Sequence, residues 1–140
     1  MKIAILDAQG AGIGQTVIKK LRKELGTSVH ITALGTNKAA TNNMLHAGAN
    51  IGISGEPPIC LFCKANHVDC IIGPIGIICS GGIAGEITPM LSESIFNMNC
   101  IKYILPLKKH GIYIPGTRHL QIKEIIDEII LDIKNRVNTY

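Results

Sequence analysis

The chain has 140 residues, enough for one domain with a buried core but too few for a nucleotide domain joined to a separate substrate domain, which excludes a complete two-domain dehydrogenase. It is apolar (46% hydrophobic), low in charge (17%) and poor in aromatics (4%), a balance that excludes disorder and fits buried parallel strands. The net charge of +4 is dispersed apart from Lys19, Lys20, Arg22 and Lys23 on one predicted helix and Lys108, Lys109 and His110 in one predicted loop; with no Trp and no long basic run, these clusters read as solvated faces and nucleic acid is not an expected partner.

Lys2 to Asp7 is an aliphatic, β-branched run that stops at Ala8-Gln9-Gly10, which predicts a buried strand entering a turn. A helix follows, because Ile13, Val17, Leu21 and Leu25 recur at helical spacing and Gly26 is placed to cap it. The cycle repeats with a strand over about Ser28–Leu34 and a helix over about Lys38–Ala47 ended by Gly48. Ala49–Ile53 reads as a weak third strand, Pro57–Ala65 as a short helix opened by prolines, Asp69–Ile72 as a fourth strand, and Ile75–Asn97 as one or two glycine-interrupted helical stretches. Ile101–Leu105 is a fifth strand and Ile112–Ile114 a short sixth. The clearest helix comes last, with Ile122, Ile125, Ile126, Ile129, Ile130 and Ile133 on one face.

Strands alternating with helices predict a three-layer α/β fold, because each parallel connection needs a crossover. The expected architecture is a Rossmann-like, doubly wound, mainly parallel sheet of five to six strands in a single domain spanning residues 1–140. In the strand order 3-2-1-4-5 a crevice opens between the carboxyl ends of strands one and four.

The N-terminus runs directly into a strand pattern and lacks the regions of a signal peptide. The longest apolar stretch, Ile71 to Ala84, is interrupted by Pro74 and four glycines and falls short of the ~18 residues that a membrane span needs. A soluble, cytoplasmic protein without a membrane partner is expected, its five cysteines reduced.

The junction Gln9-Gly10-Ala11-Gly12-Ile13-Gly14 carries most of the chemistry. A phosphate reaches backbone N–H groups and the positive end of a helix only where side chains stand aside. The spacing departs from the dinucleotide fingerprint, which would require glycine at Gln15, and from the Walker A loop, which would require lysine there. It is nearer the short-chain dehydrogenase pattern T-G-x-x-x-G-I-G, as Asp7-Ala8-x-x-x-Gly12-Ile13-Gly14, with its first two positions changed. The competing reading is that the glycines serve only a tight turn and close packing. Asp7 would repel a phosphate unless it braces the loop amides. After the second strand, Gly35-Thr36-Asn37-Lys38 offers no acid for a ribose diol but several donors for a 2′-phosphate, which favours NADP over NAD; Thr36 or Asn37 as a helix N-cap is the structural alternative.

Taken together, Asp7-Ala8-Gln9-Gly10-Ala11-Gly12-Ile13-Gly14, Leu34-Gly35-Thr36-Asn37, Gly73-Pro74-Ile75-Gly76 and Gly85-Glu86-Ile87-Thr88-Pro89 resemble a bacterial family, domain of unknown function 3842, over nearly the whole chain. That family typically has glycine where this chain has Ala8 and Ala11, and often lysine at Gln15. The resemblance implies a small Rossmann-like bacterial protein and supplies no catalytic residue.

Gly73-Pro74-Ile75-Gly76 is expected beside the glycine loop. Glu86, among small and apolar residues, is a candidate general base with a raised pKa, or else an acid at a helix start with Thr88-Pro89 as cap and first turn. Gly81 and Gly85 suggest tight packing, or a homodimer interface. Cys60 and Cys63 form a C-x-x-C that follows two prolines and has no second pair, so neither a redox nor a metal site is predicted. Tyr103 and Tyr113 lack the Y-x-x-x-K of short-chain dehydrogenases, and no serine lies in G-x-S-x-G.

The leading expectation is a nucleotide- or dinucleotide-binding protein, a sensor or subunit, holding a small phosphorylated ligand at Gly10–Gly14 with Gly35–Lys38 near the ribose. The alternatives are a small homodimeric enzyme using Glu86 or Asp7 as acid or base, and a structural or interaction protein without a ligand.

Overall fold

A computed structural model describes residues 1–108 and 111–137; Lys109 and His110 of the expected basic loop lie outside the described residues. Five strands, β1 (Lys2–Asp7), β2 (His30–Gly35), β3 (Ile51–Ser54), β4 (Cys70–Pro74) and β5 (Ile101–Leu105), form one sheet in the order β3-β2-β1-β4-β5. Every neighbouring pair is parallel. Because side chains alternate across a strand, β1 sends Ile3 and Ile5 into one apolar layer and Ala4 and Leu6 into the other.

The first layer is closed by α1 (Gly12–Leu25), α2 (Lys38–Ala47) and α5 (Ile122–Val137), through Val17, Ile18, Leu21, Met44 and the isoleucine face of α5. The second is closed by α3 (Glu56–Ala65) and α4 (Pro89–Phe96), through Ile59, Phe62, Leu91 and Ile95. Helices therefore cover both faces, and the chain reverses its winding between β1 and β4. There the loops at the carboxyl ends diverge and leave a crevice.

Three expectations shift. Residues Gly26–Ser28 tuck into a 3-10 turn, so β2 begins at His30. The stretch from Ile75 to Asn97 yields a 3-10 turn at Ile75–Ile78, a run of tight turns, and then α4 alone. No strand forms at 112–114: that segment is irregular, Tyr113 and Ile114 are exposed at 61% and 37%, and Pro115 follows, so nothing pairs it to the edge strand β5. The sheet stops at five strands.

Arg22, grouped above with the solvated lysines, is structural. Its guanidinium donates to the carbonyls of Gly48 (2.8 Å), Gly26 (2.8 Å) and Val29 (2.9 Å) and to Asn50 Oδ1 (2.5 Å), tying α1 to the amino ends of β2 and β3. No helix among the described residues is long and apolar enough to cross a membrane.

Candidate functional site

The β1–α1 junction sits at the switch point. Asp7 ends β1, buried to 5% exposure, and acts as the brace: Oδ1 accepts the Ala8 amide (2.8 Å) and Oδ2 the Gly14 amide (2.9 Å). Gln9 and Ala11 take left-handed conformations (φ 52° and 57°), the Ala11 amide closes a turn onto the Ala8 carbonyl at 2.9 Å, and α1 begins at Gly12 with no side-chain cap. The Gly10 carbonyl is held from outside by Gln15 Nε2 and Asn43 Nδ2, each at 3.0 Å. Neither of these two supports was foreseen, since an amide twenty-eight residues beyond Gln15 carries no local signature.

With the amides of Ala8, Gln9, Ala11, Gly14 and Gln15 all donated internally, three remain. Gly10, Gly12 and Ile13 have no N–H partner among the described residues; Gly12 and Ile13 lie in the first turn of α1, where amides stay unpaired unless a cap or ligand intervenes, and Gly10 lies in the turn just before it. Gly10 and Gly12 are also the glycines whose identity the fold leaves unexplained. Neither has a positive φ, and a Cβ at either would meet no atom within 4 Å. Gly14 is different, because a Cβ there would lie 2.7 Å from Met44 Sδ. The packing explanation for the glycine loop therefore holds for Gly14 and not for its two predecessors.

Gly10, Gly12 and Ile13 line a cleft of about 250 Å³, bounded on one side by residues 7–13 and on the other by Pro74, Ile75, Gly76, Ile83 and Leu107. Gly73 lies beneath it as a packing glycine, its missing Cβ being 2.7 Å from the Leu6 carbonyl. Ile83 and Leu107 were not among the residues expected near the loop. Ile83 and Ala84 are successive non-glycine residues in the left-handed region (φ 50° and 53°), a costly conformation for a β-branched side chain. Gly81 and Gly85 likewise have positive φ (83° each) and open space at Cβ, so they serve turns; the glycine that packs tightly is Gly82, against the Gly76 carbonyl.

Glu86 departs most from expectation. Thr88 caps α4, accepting the Leu91 amide at 3.2 Å, with Pro89 in the first turn, but Glu86 takes no part in it. Its Oε1 instead accepts from Thr36 Oγ1 (2.7 Å), Asn37 Nδ2 (3.0 Å) and the Gln9 amide (3.1 Å), which binds the segment after β4 to the ends of β1 and β2. Burial pushes its pKa up, but the hydrogen bonds from Thr36, Gln9 and Asn37 outweigh this and hold the carboxyl below its ordinary value of 4.5. The raised pKa expected of a general base is thus reversed, and Glu86 is an anion at neutral pH.

The same contacts involve Thr36 and Asn37, the donors expected for a 2′-phosphate. Both donors are engaged by a carboxylate, and Asn37 also caps α2 through Oδ1, which accepts the Ala40 amide at 2.8 Å. Gly35 is fixed by packing, its Cβ position blocked by Thr41 Oγ1 and, at 2.5 Å, Thr41 N. Lys38 is exposed on the first turn of α2. Cys60 and Cys63 lie on α3 as free thiols, and no group of three or more potential metal ligands occurs among the described residues.

No curated protein matches this chain. The crystal structure of a dodecameric FMN-dependent Ubix-like decarboxylase from Escherichia coli O157:H7 is similar over 99% of this chain and 94% of its own, with 10% identity and a TM-score of 0.46. At that distance neither ligand nor reaction carries over. The family model described as Domain of unknown function (DUF3842) matches residues 2–138, and the chain belongs to that family.

Proposed function

We propose that this protein binds a phosphorylated nucleoside at the carboxyl edge of its sheet, with the phosphate on the amides of Gly10, Gly12 and Ile13. The carrying observation is that these three donors are unspent, two at the start of a 14-residue helix and one in the turn before it, while a Cβ at Gly10 or Gly12 would meet only empty space. A helix N-terminus with such amides favours an anion through its partial positive charge as well as its hydrogen bonds.

From the phosphate the ligand has two directions. One enters the cleft, where Ile75, Ile83 and Leu107 offer apolar walls to a ring or carbon chain. The other leads over the ends of β1 and β2 to Thr36, Asn37 and Glu86. A cleft of about 250 Å³ is below the range usual for whole drug-sized ligands, which supports one part of a nucleotide, and not a whole dinucleotide, as its occupant. The expected homodimer finds support in Leu61, Met90 and Phe96, exposed at 67%, 61% and 67% on α3 and α4; sedimentation at two concentrations is its check.

The test is a thermal-shift panel at low salt with inorganic phosphate, AMP, NAD and NADP. Binding to the native state raises the melting temperature by mass action, and Gly12→Val, whose Cβ meets no protein atom within 4 Å, is expected to abolish the shift while leaving the protein folded. Absence of a shift with all four probes would sink the reading.

A further inference from the structure

The inference concerns Glu86 and rests on the nucleotide reading above. In open sheets of this topology the acid that recognises a ribose stands at the end of the second strand. Here β2 ends at Gly35 and continues into Thr36, Asn37 and Lys38, none of them acidic. A carboxylate is nevertheless present at that place, delivered across the sheet from the segment between β4 and α4. Glu86 Oε1 is fixed there by three donors, Thr36 Oγ1, Asn37 Nδ2 and the Gln9 amide, at 2.7–3.1 Å. Its second oxygen, Oε2, has no partner among the described residues.

We infer that Glu86 is the ribose-reading and specificity-determining residue of the site: Oε2 accepts a hydroxyl of an unmodified ribose, and the carboxylate excludes nucleotides carrying a 2′-phosphate. The surroundings agree in sign. Asp7 is the other nearby carboxylate, its oxygens turned onto the Ala8 and Gly14 amides. The neutral donors that would welcome a 2′-phosphate have already donated to Glu86, so such a ligand would have to displace a carboxylate held by three hydrogen bonds. Lys38, exposed on the first turn of α2, is the cation nearest in sequence, and a solvated lysine offsets little of that repulsion.

The probes are AMP and adenosine 2′,5′-bisphosphate, which differ only at the 2′ position, titrated calorimetrically into the wild type, Glu86→Gln and Gly12→Val. The wild type is expected to bind AMP at least about tenfold more tightly than the bisphosphate, and Glu86→Gln, which keeps the shape and loses the charge, to bring that ratio to about threefold or less. Equal affinities in the wild type overturn the inference without recourse to any variant, and so does a ratio unmoved by Glu86→Gln. Failure of the phosphate site is separately visible. If neither nucleotide binds the wild type, or if Gly12→Val leaves both affinities intact, the nucleotide reading itself is wrong. If AMP binds and Gly12→Val abolishes it while the ratio ignores Glu86, only the role given to Glu86 is lost.

Discussion

The Gly14 amide donates to Asp7 Oδ2 at 2.9 Å, so the last residue of β1 holds the third residue of α1 and fixes the angle at which the helix leaves the sheet. Asp7→Asn replaces one acceptor oxygen by an NH₂ that must face an N–H. The expected cost is about 1–3 kcal/mol of stability, read as a lower urea midpoint with an unchanged m-value. Affinity for inorganic phosphate is expected to hold or rise, because a negative charge beside the amides is removed. A variant as stable as the wild type would show that Asp7 is not the brace.

Glycines of the site separate by cause. Gly35→Ala drives a Cβ into Thr41 Oγ1 and to 2.5 Å from Thr41 N, forcing α2 off the sheet. A loss of about 1–3 kcal/mol or more is expected. Gly12→Ala meets nothing within 4 Å in a backbone region open to alanine, and stability should hold or rise by up to about 1 kcal/mol. Chemical denaturation of the pair decides; equal losses would mean that Gly12 is structural after all.

Acid should release the Glu86 contacts. Its folded-state carboxyl is held below the ordinary 4.5, so the stabilisation it contributes is complete above that value and is lost as pH falls from it through the lower folded value. The Gln9 amide, which donates to Glu86, should report this as a chemical-shift titration with a midpoint below 4.5 that vanishes in Glu86→Gln. A midpoint above 4.5 would contradict the hydrogen-bonded arrangement.

Alkylation of Cys63 and Cys70 is expected to be slow in the native protein. Burial first, then the neighbouring Cys60 and Cys100, push Cys63 up to about 11; burial likewise pushes Cys70, fully buried in β4, up to about 12. At pH 8 roughly one Cys63 in a thousand is then a thiolate. Iodoacetamide should modify Cys63 and Cys70 far more slowly in the folded protein than in urea, as counted by mass spectrometry. Fast native labelling at Cys63 would reopen the question of its C-x-x-C.

Local signals were enough for most of the architecture. β1 is framed by its own aliphatic run, and Gly26, Gly48 and Pro89 punctuate the helices where they stand. Where the reading missed, the cause is tertiary. Ile112–Ile114 has strand composition, but an edge strand needs a partner and β5 finds none there. The fate of Glu86 depends on contacts 49, 50 and 77 residues away, a separation that leaves no periodicity or spacing in the chain. A lone acid set among glycines just before a Thr-Pro helix start was a visible oddity, yet only the strand order shows which loops it meets. Arg22 was hidden similarly, a guanidinium among lysines whose carbonyl partners come from later turns.

All five strands point the same way, and this divides the molecule's connections into two sets with different freedoms. Loops leaving the strands, among them 8–11, 36–37 and 75–88, build the cleft and its surroundings, while those entering them, at 26–29, 48–50, 66–69 and 97–100, lie at the opposite rim. The exposed residues of the 66–69 and 97–100 turns, Asn66, His67, Asn97 and Asn99, stand beside the buried Val68 and Met98 and clear of the Arg22 ties, and are therefore natural places to attach an epitope, a fluorophore or an immobilisation tag. A protein so decorated would present its cleft to solution unobstructed, ready for use as a reporter of whatever it binds.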